Sequence, residues 1–253
     1  MMKKIIFTAI TTFMLTNMAN AQKIIAHRGY WDTENNAQNS IKSLKSAQEI
    51  NAYGSEFDVL ISADDVLVVN HDDNYLGYHI ETTNSSILKT LKLPNGENMP
   101  TLEDYFAQGK KNKNVKLIFE LKPHSSKKNE DRAVKKSIEI IKKNKVEKQI
   151  EIISFSQNIC DEFKKLAPKY HVSYLAGDLS PKEVKARGWN GIDYHYSVFQ
   201  KNPTWVKEAK ELGLLVNVWT VNDKKIMQEM IDFDVDYITT DKPLVLKEIL
   251  SKK

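Results

Sequence analysis

From Lys23 onward the chain repeats one rhythm, a short apolar run followed by an amphipathic segment with helical spacing. Apolar runs at Lys23–Ala26, Ser55–Ile61, Val66–Asn70, Val115–Leu121, Ile150–Phe155, Val172–Leu175, Ile192–Tyr196, Leu214–Val221 and Tyr237–Thr239 read as strands. Between them, Asn39–Ile50, Thr101–Gln108, Asn129–Lys143, Gln157–Ala167, Pro181–Arg187, Thr204–Leu212, Asp223–Ile231 and Pro243–Leu250 read as helices. Thr101 and Ser180 stand as N-caps, Gly213 as a C-terminal stop, and Pro243 at a first turn. About eight strands each lead into a helix, with one extra strand-and-loop piece between residues 64 and 100. Alternating units of this kind build a parallel sheet with helices outside. Eight of them predict a (β/α)8 TIM barrel, α/β in class, with a small insertion after the second strand at about residues 72–100. A doubly wound open sheet is disfavoured because no G-x-G-x-x-G follows Ile25. No linker interrupts the pattern, so residues 22–253 are expected to form a single domain.

Residues 1–21 stand apart. Lys3 and Lys4 precede a mostly apolar run from Ile5 to Met18, and Ala19-Asn20-Ala21 supplies a small-x-small cleavage pattern. This predicts an export signal and an exported protein, periplasmic or secreted. The apolar run is shorter than the ~20 residues that span a bilayer, so no stable membrane insertion is expected after cleavage. The formal net charge is only +4, and the leader carries two of the lysines. That balance argues against nucleic acid as a partner. A single cysteine, Cys160, excludes an intramolecular disulfide framework and multi-cysteine metal sites, and reads as a buried small residue. Pairs such as Lys135-Lys136 and Lys142-Lys143 read as solvated helix faces.

In a barrel the C-terminal strand ends converge on one mouth. The first run ends in His27-Arg28-Gly29, the second carries Glu56 and Asp58, the next ends in His71-Asp72, and the following one in Glu120-Leu121-Lys122. A spacing of two puts Glu56 and Asp58 on one strand face, ~6.6 Å apart along the backbone, with Phe57 and Val59 turned to the outer helices. Glu120 and Lys122 repeat the arrangement. Paired carboxylates repel unless something neutralises them. A divalent cation can do so, with Glu120 as a third ligand from the neighbouring strand. Oxygen-only ligation suits Mg²⁺ or Ca²⁺ rather than zinc. Taken singly, each acid, Arg28 or Lys122 reads as an ion-pair partner. Seven ionisable groups at matching strand ends cost too much to bury unless they pair or bind an ion.

At these residues the sequence resembles the glycerophosphodiester phosphodiesterase family. The matching segments are AHRG (Ala26–Gly29), SEFDV (Ser55–Val59), VVNHD (Val68–Asp72), MPTLED (Met99–Asp104), FELK (Phe119–Lys122), ISF (Ile153–Phe155), VWTVN (Val218–Asn222) and YITTDKP (Tyr237–Pro243). They keep the family order over nearly all of the mature chain. The resemblance implies a metal-dependent TIM-barrel hydrolase that splits glycerophosphodiesters into glycerol 3-phosphate and an alcohol. It implies Glu56, Asp58 and Glu120 as ligands of one divalent cation, and His27 and His71 as the general acid/base pair. Arg28 and Lys122 would lie near the phosphate, with Trp219 beside the glycerol. It also implies that the substrate's glycerol 2-hydroxyl attacks first and that water then opens the cyclic phosphate. One segment departs from the family pattern. Where most members carry Pro-Glu-Asn-Thr, this chain has Ala37-Gln38-Asn39-Ser40, so an acid that could meet Arg28 is missing. This marks a divergent branch.

The alternatives are a phospholipase-D-like lyase that cyclises lysophospholipids, a silent binding protein for phosphorylated alcohols, and a glycosidase using Glu56 and Glu120. The last leaves His27, Arg28 and Lys122 without a role. Asn217 is expected on the same strand face as Trp219, Tyr194 and His195 near a strand end, and Tyr75, Tyr78 and His79 in a cap over the mouth. Head group, native ion and oligomeric state are not specified by the sequence.

Overall fold

The computed structural model describes residues 22–252, so the segment expected to be an export signal, residues 1–21, lies outside the described residues. Among the described residues eleven strands form: β1 (Lys23–Ala26), β2 (Gly54–Ile61), β3 (Leu67–Val69), β4 (Asn74–Tyr75), β5 (Tyr78–His79), β6 (Lys116–Leu121), β7 (Ile150–Ser154), β8 (Val172–Tyr174), β9 (Gly191–His195), β10 (Leu215–Trp219) and β11 (Tyr237–Thr240). Eight of them, β1, β2 and β6 to β11, run parallel in the order β1-β2-β6-β7-β8-β9-β10-β11, and β11 pairs back onto β1. The sheet closes, and helices surround it, as the (β/α)8 reading expected.

Alternation along the strands sorts the core into two layers. Outward-facing Phe57, Val59, Phe119 and Leu121 join the large cluster beneath the helices, where the Phe57 ring stacks on Tyr105 at 4.2 Å. Inward-facing Ile25, Ile118, Ile153, Leu175 and Tyr237 fill the barrel interior. That interior is therefore packed rather than open, and polar side chains are left for the rim. Helix starts follow local chemistry. Thr101 and Asp104 form a reciprocal capping box at the helix Leu102–Gly109, and Ser180 and Glu183 do the same at Pro181–Ala186.

Two elements refine the sequence expectation. The run at Val66–Asn70, read as part of an extra piece beside the eight βα units, forms β3, which is not a parallel barrel strand. It pairs antiparallel with the far end of β2, Val59 opposite Val69. β2 overshoots the rim, and β3 folds the chain back to it, with Asn70 N donating to the Asp58 carbonyl. His71 thus reaches the mouth by a return strand rather than from a parallel strand end. A period-2 apolar pattern does not encode direction, so the sequence left this open. The second difference is a short helix, Tyr196–Lys201, directly after β9, where the strand was expected to run through Tyr196. His195 caps it, with Nδ1 accepting from Ser197 N.

The insertion after β3 carries the hairpin of β4 and β5 and a short helix, Ser85–Leu88. It packs on the β2–β3 overshoot through a small core of its own, Leu60, Val68, Ile80, Leu88 and Met99. No helix among the described residues is long and apolar enough to cross a membrane.

Candidate active site

β2 builds the centre. Asp58 lies directly opposite Glu120 on β6, and Glu56 sits two residues lower on the same face. All three carboxylates are buried, and each offers an oxygen within 4.8 Å of the others. Local structure holds two of them in place. Arg28 adopts a left-handed backbone (φ 53°) just after β1, which is rare for a side chain of this size. That turn aims its N–H at Glu56 Oε2, 2.7 Å away. Gly29 follows at φ 78°, and a Cβ there would meet Ser43 Oγ at 2.3 Å, so only glycine fits. Asn39 grips Asp58 from both sides. Its amide donates to Oδ2 at 2.9 Å, and its carbonyl accepts from Asp58 N at 3.1 Å.

Two cations meet these acids. Lys122 Nζ lies 3.2 Å from Asp58 Oδ1 and 2.8 Å from Glu120 Oε1, and Arg28 Nε lies 3.4 Å from Asp58 Oδ2. Arg28 also donates from a terminal nitrogen to Gln38 Oε1 at 2.6 Å. The amide carbonyl of Gln38 therefore fills the role open to an acid there, and Arg28 stays in place.

The charges sort accordingly. Burial, then the Asp58 and Glu120 carboxylates, push Glu56 well above the usual carboxylate range. Burial, then Asp58, push Glu120 up to about 8, against the pull of Lys122. Burial also works against ionised Asp58, but Lys122 and Arg28 outweigh it and hold that carboxyl below its usual value. Three acids this close cannot all ionise unaided. Glu56 Oε1 is buried and lacks a hydrogen-bond partner. An orphaned carboxylate oxygen beside two others in an oxygen-only cluster fits a hard divalent cation.

Both histidines face this cluster. His27 Nδ1 is 2.8 Å from Asp241 Oδ1, leaving Nε2 on the side of Glu56, 4.0 Å from Oε2. Asp241 also accepts from Trp31 Nε1 at 3.0 Å and from Asn222 Nδ2 at 2.6 Å. Burial works against its charge, but the His27 contact and these bonds hold it below the usual range. An ionised carboxylate can only accept, so His27 carries a hydrogen on Nδ1 and turns Nε2 toward the pocket. His71 is arranged similarly, with Nδ1 2.7 Å from Asp72 Oδ1. Burial, helped by Lys122 and Arg28, lowers its pKa against the attraction of Asp58.

His27, Arg28, Glu56, Asp58, His71, Glu120, Lys122 and Trp219 all line one pocket of about 500 Å³ at the mouth, counting its solvent-open part. The structure thus brings together all eight residues singled out in the sequence. Of the secondary candidates, Tyr75 lines an adjoining recess with Arg28 and His71, whereas Tyr78 and His79 line neither space. Asn217 faces a smaller cavity below the mouth. Tyr194 turns outward and donates its hydroxyl to the Leu179 carbonyl. His195 meets Trp219 edge-to-face at the rim. Sequence reasoning missed Asp241 as the partner of His27, and Phe155 and Asp193 as pocket walls. Asp241 follows β11, and only closure of the barrel, pairing Ala26 with Thr240, sets it beside His27.

Fold and site together define a TIM barrel with a buried acidic cluster at its mouth that can hold a metal ion. Residues 27–245 match the model of the glycerophosphoryl diester phosphodiesterase family, and the chain belongs to that family. It is 32% identical to a glycerophosphodiester phosphodiesterase of Caldanaerobacter subterraneus subsp. tengcongensis, over 90% of this chain and 98% of that protein. A crystal structure of a glycerophosphodiester phosphodiesterase from Parabacteroides distasonis superposes with a TM-score of 0.91 at 52% identity, covering 92% of this chain and 98% of that one. A phosphodiesterase of Oleispira antarctica, solved with the product sn-glycerol-3-phosphate, shares the fold at a TM-score of 0.81 and 22% identity, covering 91% and 97%.

The charge arrangement makes Lys122 a structural keystone of the metal-free protein. In chelator-treated protein Lys122→Met is expected to lower stability by about 3–5 kcal/mol, because it strands buried carboxylates. Saturating divalent cation should restore part of that. Urea denaturation with and without Mg²⁺ measures both effects, and an unchanged midpoint in chelator would refute the keystone role.

Proposed function

We propose that this chain hydrolyses glycerophosphodiesters to glycerol 3-phosphate and an alcohol, using one divalent cation, Mg²⁺ or Ca²⁺, and two histidines. The observation that carries this reading is the meeting of two oriented imidazoles, two cationic side chains and three buried carboxylates in one pocket, in a chain of this family.

Glu56, Asp58 and Glu120 would hold the cation. When bound, it would offset their repulsion and stabilise negative charge on the phosphoryl oxygens. Arg28 and Lys122 lie in the same wall and stabilise the same charge as it builds. One imidazole Nε2 takes the proton of the attacking hydroxyl, and the other gives a proton to the departing alkoxide. With the glycerol 2-hydroxyl as first nucleophile, a P–O bond forms to that oxygen as the bond to the alcohol breaks. The product is a cyclic phosphate. Water then attacks phosphorus and opens the ring, with the histidine roles reversed, so each step begins and ends with one proton on the pair. Asp241 keeps His27 in the required tautomer, and Trp219 and Phe155 wall the side where the carbon skeleton lies. The Met1–Ala21 pattern supports action outside the cytoplasm. A mature chain starting at Gln22 in the exported fraction, read by N-terminal sequencing, is the corresponding expectation; an intact Met1 there would contradict it.

The direct test is phosphorus NMR of glycerophosphocholine, glycerophosphoethanolamine, glycerophosphoglycerol and glycerophosphoinositol incubated with the enzyme and Mg²⁺ or Ca²⁺. Glycerol 3-phosphate should accumulate, and chelator should stop it. A terminal cyclic phosphate would point to the lyase, and tight binding without turnover to a silent binding protein. His27→Ala and His71→Ala should each lower kcat by about 10²–10⁴-fold with the fold intact. Asp241→Ala should cost about 10–100-fold through misplacement of His27. Turnover like that of the unaltered enzyme in both histidine variants would remove the acid/base assignment.

A further inference from the structure

The mouth pocket has two unlike halves. The half formed at β1, β2 and β6 is ionic. The half formed at β7, β8 and β10 carries Ile153, Phe155, Leu175 and Trp219. Among those apolar walls stands one carboxyl, Asp193 on β9. It lines both the mouth pocket and the smaller cavity beneath, so it forms the floor between them. Asp193 is 1% exposed, and its Oδ1 is buried without a hydrogen-bond partner. Among the described residues no cation pairs with it. Asn217, its neighbour across the sheet, leans on the carboxyl and favours its charged form, but its amide donates to Thr239 Oγ1 at 2.8 Å and its carbonyl accepts from Val218 N at 2.9 Å, so Asp193 Oδ1 stays without a partner. The Trp219 indole is fixed beside this floor by a 2.9 Å bond from Nε1 to the Asp193 carbonyl.

An unpaired buried carboxyl costs stability unless a ligand completes it. We propose that Asp193 is a specificity-determining residue whose carboxyl hydrogen-bonds a free hydroxyl of the substrate's glycerol half at the floor of the mouth pocket. This deepens the phosphodiesterase reading and rests on it. Two features select a hydroxyl over a cationic head group. The floor lies at the inner end of the pocket, above only a small cavity, so the group that reaches it is the compact glycerol, while the leaving alcohol points to the open side. Burial, joined by the Glu151 charge and opposed by the Asn217 amide, also pushes the Asp193 carboxyl up to about 7, so both its forms are present near neutrality. A hydroxyl can donate to the ionised form and accept from the protonated one, whereas an ammonium can only donate.

The test uses the metal-loaded enzyme and its Asp193→Ala and Asp193→Asn variants. Substrates are glycerophosphocholine, glycerophosphoethanolamine and glycerophosphoglycerol, with an analogue carrying propane-1,2-diol in place of glycerol, which lacks only the terminal hydroxyl. Asp193→Ala should raise KM roughly tenfold or more on all three glycerol substrates alike, change kcat less, and leave KM for the analogue nearly unaltered; Asp193→Asn should fall between. By calorimetry, the affinity for glycerol 3-phosphate should drop in the same ratio while that for inorganic phosphate holds. The thermal midpoint of both variants should stay level or rise, since an unpaired buried acid is removed; a structural role would lower it. KM effects confined to the cationic head groups, equal losses on the analogue, or no shift on any substrate would overturn the proposal. Absence of turnover in the unaltered enzyme would count against the activity itself, and the calorimetry with glycerol 3-phosphate would still judge Asp193.

Discussion

Three carboxylates buried within reach of one another are the constraint around which this molecule is organised. Left alone, such a cluster opposes folding, because each charge loses its water and meets two like charges. The chain answers with a backbone N–H from a left-handed Arg28, an amide from Asn39, and two side-chain cations that leave Asp58 ionised. Each compensating group comes from the turn after β1, the segment before the first helix, or the residue that follows β6. The closure of the barrel near β2 and the integrity of the acidic cluster are therefore one problem. What remains uncompensated, the orphaned oxygen of Glu56, is what a divalent cation can supply.

The pocket's two halves divide the work along the same line. Charge is handled where β1, β2 and β6 meet, and shape is handled opposite, by Phe155, Leu175 and Trp219. The histidines are oriented from different sides: His27 by Asp241 on the last strand's exit, His71 by its own neighbour Asp72. One imidazole is thus locked into the barrel, and the other sits on the hairpin that folds back over the rim.

Much of this was legible in the sequence because period-2 alternation states which residues share a strand face. Glu56 with Asp58 and Glu120 with Lys122 followed from spacing alone, and His27 and His71 from their positions after apolar runs. Helix caps at Thr101 and Ser180 were visible because capping depends on neighbours three residues away. What spacing cannot state is long-range closure and strand direction. Asp241 is 214 positions from His27 and meets it only through the β11–β1 pairing. β3 reads like any other apolar run, yet it is antiparallel because β2 continues past the rim and needs a partner there. Asp193 carries the same alternation, between apolar Ile192 and Tyr194, but it stands alone on its strand face, with no second acid or cation two residues away to single it out. Gln38 looked like a loss, but its carbonyl takes up the Arg28 guanidinium without the charge of an acid.

The claim on which all of this rests is that the three acids share one divalent ion. Titration of the chelator-treated protein with Mn²⁺, followed by the paramagnetic resonance signal of the free ion, tests it without reference to turnover. One tightly held Mn²⁺ per chain is expected, displaced by Mg²⁺ or Ca²⁺ and lost in Glu56→Gln, Asp58→Asn and Glu120→Gln. Weak binding of several ions, or one tight site that survives all three substitutions, would contradict the account.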